Sequence, residues 1–215
     1  MLAVAWVLGL FGLLALLLAL SRFLIGHRLA AWGHVALAAA LVAAGLTTGL
    51  VAADLGSYQP RSSERPVAEV YFEQVATRRY RVTLTRLPGG RMQIFELTGD
   101  AWRIDARTMD FGGWLQAIGG RPGYRLDRLV AVERVPGSAE WAPTTGFALD
   151  ARDGLDLWEW SRRTGRWHEL LAAGQARSEE LPLTGQSRFE LWLVGERIDV
   201  RPEKAVADAA EPAAP

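Results

Sequence analysis

The sequence predicts a membrane-anchored α+β protein, mainly β. It has a two-helix transmembrane hairpin at the N-terminus, followed by an antiparallel β-sandwich or partly open barrel with one helix. Three observations lead there. Residues 2–20 and 29–53 contain no Asp, Glu, Lys or Arg. From residue 66 to 201 apolar and polar residues alternate with period two in run after run, the signature of half-buried strands. One segment, 155–164, abandons that rhythm for helical spacing.

The first uncharged stretch has 19 residues. At about 1.5 Å per residue it makes a helix about 28 Å long, close to the roughly 30 Å thickness of bilayer hydrocarbon. The second has 25 and can span with tilt. Residues 21–28 between them are too few for anything but a tight return, so the helices form an antiparallel hairpin. No Lys or Arg precedes Arg22, so the cationic start of a cleavable secretory signal is missing. Arg22, His27 and Arg28 crowd the short loop. Because cationic loops resist translocation, this places the loop in the cytoplasm and both chain ends outside; Arg61 and Arg65, after the second helix, pull the other way.

Small residues recur every fourth position in the second helix, at Ala36, Ala40, Ala44, Thr48 and Ala52, and Gly45 and Gly49 form a GxxxG on an adjoining face. Such stripes let backbones approach closely. Ordinary hairpin packing is the expected use, with a homo-oligomer through the second helix as the alternative. His34, the one ionisable side chain inside either span, is read as reaching the interface rather than relaying protons.

In the soluble part, Ala68, Val70 and Phe72 share one strand face, and Tyr80, Val82 and Leu84 share another opposite Arg79, Arg81, Thr83 and Thr85. Leu87-Pro88-Gly89-Gly90 is turn chemistry and residues 92–97 return as the hairpin partner. Trp102, Ile104 and Ala106 continue the alternation. From Tyr124 the apolar parity runs through Leu126, Val130 and Val132 but is interrupted at Arg128, which calls for an edge, a bulge or an acidic partner. Gly195-Glu196 links two final strands, 188–194 and 197–201, giving about seven or eight strands in all. In the helical segment Arg162 and Arg163 fall in the last turn, Gly165 stops it and Asp153 is placed to cap its start.

These readings divide the chain into a transmembrane hairpin (1–53), a Ser/Arg/Pro linker (54–65), a soluble mainly-β domain (66–201) and an Ala/Pro/Glu tail (202–215) that reads as disordered because it has little to bury. All 24 acidic residues lie after residue 53, as do 22 of the 24 basic ones, the exceptions being Arg22 and Arg28. The resulting net charge of −2 advertises no basic face for nucleic acid. With no cysteine, disulfides and thiolate metal sites are excluded.

No Gly-x-Ser-x-Gly elbow, His-Glu-x-x-His site or phosphate loop occurs. Asp110-Phe111-Gly112 matches a kinase triplet without any of the other kinase parts, so it is read as chance. His168, beside Glu169, is read as a surface or capping residue rather than a general base. Asp105, Asp110 and Asp127 would serve hydrolysis if they converged, but their arginine neighbours favour cross-strand ion pairs. Tryptophan is the unusual asset, since seven of nine lie in the soluble part. Flat apolar rings with one polar edge suit ligands, interfaces and cores alike. Trp114, with Leu115 and Ile118 between two glycine pairs, is the candidate interaction tip, able to dip into lipid or grip a partner; a short helix folded into the core is the competing reading.

The run Gly99-Asp100-Ala101-Trp102-Arg103-Ile104-Asp105-Ala106-Arg107, then Gly113-Trp114, residues 124–129 and Gly154-Leu155-Asp156-Leu157-Trp158, with the two-helix start, resembles a family of small uncharacterised proteobacterial two-helix inner-membrane proteins. Its members often carry the label of cation or multidrug efflux pumps. The resemblance implies an inner-membrane location and a periplasmic domain, and it carries over no catalytic residues. Two helices without a membrane-embedded acid do not make an alternating-access pump on their own.

The expected function is therefore a non-enzymatic, membrane-tethered periplasmic β-domain that binds or assists within an envelope complex. The expected partners are the lipid bilayer and a membrane or envelope protein, with neither nucleic acid nor cofactor. An envelope hydrolase using the Asp and His residues, or an accessory efflux subunit, is the alternative.

Overall fold

A computed structural model of the chain describes residues 2–113, 116, 121–150, 155–165 and 171–203. They gather into two compact units. One holds the residues up to Tyr58 together with a short helix near residue 160; the other is the β-rich remainder.

The first unit begins with α1 (Leu2–Leu24) and α2 (Arg28–Leu55), both long and apolar enough to cross a membrane. Each helix outruns its uncharged stretch, so the connection shrinks to Ile25, Gly26 and His27. Gly26 takes φ +86°, a left-handed turn that glycine adopts without strain. The hairpin seam is built on intervals of seven. Ala31, Ala38, Gly45 and Ala52 are buried along α2, and Gly12, Ala15 and Ala19 along α1. A Cβ on Gly45 would stand 3.3 Å from the Ala5 carbonyl oxygen and 3.5 Å from the Gly9 nitrogen. Tiny residues thus let the backbones nearly touch, while Leu10, Leu13, Leu17, Leu37 and Leu46 point outward. Polar side chains within the apolar stretches bond back to their own backbones, as suits helices that could enter an apolar surrounding. Thr47 and Thr48 donate to Ala43 and Ala44 carbonyls at 2.8 Å, and His34 Nδ1 to Ala30 at 2.7 Å.

The same unit contains α3 (Leu157–Thr164). Its first turn is capped twice. Asp156 Oδ1 accepts the Glu159 N–H at 3.0 Å, and Asp54 Oδ2, from the last turn of α2, accepts the Leu157 N–H at 3.0 Å. Asp153, the cap expected from sequence, lies outside the described residues. Gly165, at φ +61°, ends the helix as expected.

The second unit is a curled, mainly antiparallel sheet. Among the described residues its strands are β1 (Gln59–Pro60), β2 (Ala68–Ala76), β3 (Arg79–Arg86), β4 (Met92–Thr98), β5 (Ala101–Phe111), β6 (Gly123–Arg134), β7 (Trp141–Ala148), β8 (Leu171–Arg177), β9 (Leu181–Pro182), β10 (Ser187–Val194) and β11 (Arg197–Pro202). Nine follow one path, β1-β6-β5-β8-β11-β10-β2-β3-β4, with β7 branching from β6 and β9 from β5. The sheet curls into a half-barrel, in keeping with the partly open barrel the sequence predicts. Along the seam where β4 meets β7 no ladder forms. There Phe95 and Phe147 stack at 5.3 Å, and Arg86 and Gln93 donate to the Leu149 carbonyl.

The concave face carries the core. Val70, Phe72, Val82, Leu84, Trp102 and Ile104, which period-two spacing put on shared faces, are fully buried there together with Leu97, Leu129 and Leu191. Val130 and Val132, expected in line with Tyr124 and Leu126, fall instead in a second cluster with Ala101 and Trp141, because a bulge shifts the parity and hands their places to Leu129 and Ala131. Trp102 packs on Phe72 at 4.8 Å and on Phe189 at 5.7 Å. The irregularity at Arg128 is a bulge: Asp105 pairs with Arg128 and Ala106 with Leu126, leaving Asp127 as the extra residue. The segment read as a linker is partly strand. Gln59 and Pro60 pair with Tyr124 and Gly123, Arg61 N–H donates to Pro122, and the Tyr124 hydroxyl donates to Gln59 Oε1 at 2.7 Å. Burial pushes that hydroxyl's pKa up to about 12. A proline suits such an edge because the missing N–H has no ladder to serve.

Candidate functional site

The sheet has a gap. β11 is fully paired with β10 on one side, but on the other it meets β8 in parallel at a single position, Arg197 opposite Arg177. Beyond that pair the strands diverge, because the chain after β8 turns to let β9 pair with β5. In the β10–β11 hairpin the two-residue link makes Val194 and Arg197 a hydrogen-bonded pair, and the Glu203 N–H bonding to Arg188 O at 3.0 Å keeps the same parity. The N–H and C=O groups of Ile198 and Val200 therefore point away from β10; the contact with β8 takes up the Ile198 N–H, and beyond it the groups of Val200 have no partner strand among the described residues. Along it lies a cavity of about 250 Å³ with Leu181, Val194, Ile198 and Val200 as apolar walls and Glu179, Arg197 and Asp199 at the polar end. That is below the roughly 300–1,000 Å³ of small-molecule pockets, and enough for one or two side chains of an extended segment.

Charge surrounds the gap in pairs. Arg197 bonds Glu179 at 2.8 Å, Arg201 bonds Asp199 at 2.9 Å and stacks over Trp192 at 4.6 Å, and Arg103 reaches Glu180 at 3.5 Å. Deeper in, Asp105 is almost wholly buried. Its Oδ1 stands 3.5 Å from Arg103 and 3.7 Å from Arg177 and has no hydrogen-bond partner, so these are charge contacts and not bonds. Desolvation by burial raises its pKa, against the opposing pull of Arg103 and Arg177. Asp127, in the bulge, holds Arg107 at 2.8 Å and Arg128 at 3.9 Å, and its charge adds to the upward push on Asp105.

Of the carboxylates considered for hydrolysis, the structure thus brings Asp105 and Asp127 into one arginine-rich network. Asp110 is apart, facing Arg61 at 3.6 Å. His168 and Glu169 lie outside the described residues, as do Trp114, Leu115 and Ile118, the proposed interaction tip. Among the described residues no group of three His, Cys, Asp or Glu is placed to hold a metal ion. In α2, Gly45 lies in the hairpin seam, and a Cβ on Gly49 would be 3.9 Å from the Ala5 Cβ. Ala36, Ala40 and Ala44 are exposed, on a face the hairpin does not use. The seam runs instead through Ala31, Ala38, Gly45 and Ala52, which a seven-residue reading of the same sequence would have found. The open edge of β11 went unseen because a hairpin's alternation does not say what lies on its far side; alternating charge at Arg197, Asp199 and Arg201 was the one cue.

No protein-family model matches the chain, and neither does any curated protein or solved structure.

Proposed function

We propose that the chain is a non-enzymatic binding module: α1 and α2 anchor it in a bacterial inner membrane, and the β-domain, facing the periplasm, takes an extended segment of an envelope protein onto the open edge of β11. The observation that carries this reading is that edge, where beyond the Arg197–Arg177 contact the backbone groups of Val200 have no partner strand among the described residues, beside a cavity with apolar walls and a charged lining. Strand addition uses such backbone groups for affinity and adjacent pockets for selectivity. The charges of Arg197, Asp199 and Arg201 discourage indiscriminate pairing and ask a partner for complementary ones. The crowding of Arg22, His27 and Arg28 into the short loop favours a cytoplasmic loop and with it the periplasmic orientation, and the resemblance to two-helix inner-membrane proteins agrees with it.

A photo-crosslinking residue at Asp199, compared with one at Arg91 in the exposed turn before β4, tests this in intact membranes. A single discrete adduct from Asp199, with the same protein on repetition and none from Arg91, is expected. No adduct from Asp199, with the chain monomeric in mild detergent, would contradict the reading.

One observation favours the hydrolase alternative, namely the raised pKa of Asp105, since such shifts gather at catalytic groups. Its burial between two arginines fits a structural role better.

A further inference from the structure

We infer that α3 lies in the headgroup layer of the bilayer, with Trp160 at the acyl boundary and Arg162 and Arg163 against lipid phosphates. This rests on the membrane-spanning reading of α1 and α2.

The argument is one of reach. Asp54 is the first charged residue after the uncharged run of α2. A carboxylate is costly in hydrocarbon, so Asp54 marks where lipid gives way to water. That same carboxylate is bonded to the Leu157 N–H, which fixes the first turn of α3 at the boundary. Trp160 follows three residues later, about 4.5 Å along the helix axis. A headgroup layer is about 5–8 Å deep on each side. Whatever direction α3 takes, Trp160 stays within about one such layer of Asp54.

The exposed residues suit that depth. Leu155 and Trp160 are each 39% exposed, and Arg162 and Arg163 are exposed beside them, while Leu157, Trp158 and Ser161 turn inward. Tryptophan with neighbouring arginine is what membrane interfaces select, the ring for its apolar body and polar edge, the cation for phosphate. Arg162 is stacked over Trp158 at 4.8 Å. A guanidinium held by its face keeps its N–H groups in plane for phosphate oxygens. Glu159 bonds Arg163 at 2.9 Å and offsets one of the two charges, which leaves the helix a net cation.

The chain has no cysteine, so single nitroxide labels test this on the full-length protein in vesicles of phosphatidylcholine and phosphatidylglycerol. Labels go at Leu155→Cys, which keeps Trp160, and at Trp160→Cys, with Leu13→Cys in mid-α1 and Arg91→Cys as references. Collision with oxygen and with a water-soluble nickel chelate gives the depth of each. The expected result is Leu13 deep, Arg91 in water, and positions 155 and 160 between them with nickel access several-fold below that of Arg91. With Arg162→Gln and Arg163→Gln added, nickel access at Leu155→Cys should rise. Positions 155 and 160 matching Arg91 while Leu13 stays deep would overturn the inference and leave the spans standing. Leu13 as accessible as Arg91 would overturn both. Protection at 155 indifferent to the double Gln change would remove the arginine contact with phosphate.

Discussion

Asp54 Oδ2 accepts the backbone N–H of Leu157 at 3.0 Å, so a residue in the last turn of one apolar helix caps the first turn of a helix that begins 103 positions later. Asp54→Ala should cost about 1 kcal/mol and free the first turn of α3 to fray, whereas Asp54→Asn, which keeps an acceptor oxygen, should recover most of it. Hydrogen exchange at the amides of residues 157–160 checks this. Unchanged protection in the alanine variant would show that Asp156 alone suffices.

The hairpin seam leaves no room at Gly45. Gly45→Leu drives a side chain into the α1 backbone and should cost about 1–3 kcal/mol as overpacking does, visible as easier unfolding in mixed lipid and detergent micelles. Ala36→Leu, on the face turned away from α1, should leave the hairpin intact. Equal effects at the two positions would place the seam elsewhere.

Trp102 is fully buried against Phe72 and Phe189, so Trp102→Ala should cost about 3–5 kcal/mol in urea unfolding followed by near-ultraviolet circular dichroism. Trp192 is half-buried under Arg201, and Trp192→Ala should cost only about 1 kcal/mol or less. A reversal of that order would mean that the core is built on a different face of the sheet.

Asp105 has a folded-state pKa raised by burial above its ordinary value of 3.8. In the interval between those two values the folded state binds more protons than the unfolded one, so stability falls as pH rises through it and stays lower above it. Asp105→Asn, neutral at every pH, should raise the melting temperature at pH 7 and flatten this part of the pH profile. A melting temperature lowered by the substitution would show that the pull of Arg103 and Arg177 outweighs burial.

Much of this fold can be read in the sequence where one physical rule acts alone. Absence of charge gave α1 and α2, and period-two burial gave β2, β3, β5 and the β10–β11 hairpin, because Val70, Val82 and Ile104 have one buried face to occupy. The rule of small residues every fourth position was less discriminating. In an alanine-rich helix several stripes satisfy it, and packing selected the seven-residue stripe through Gly45 over Ala36, Ala40 and Ala44. What depends on distant pairing was not legible. Gln59 and Pro60 look like linker until β6 lies beside them, Asp54 looks like a helix end until Leu157 arrives, and the open edge of β11 exists because β9 leaves with β5.

The claim on which the rest depends is that α1 and α2 hold the chain in a membrane. Alkaline carbonate extraction of membranes from cells making the full-length protein tests it most directly. Retention in the pellet is expected, since two apolar spans resist carbonate as peripheral contacts do not. Release into the supernatant with the N-terminal helices intact would contradict it.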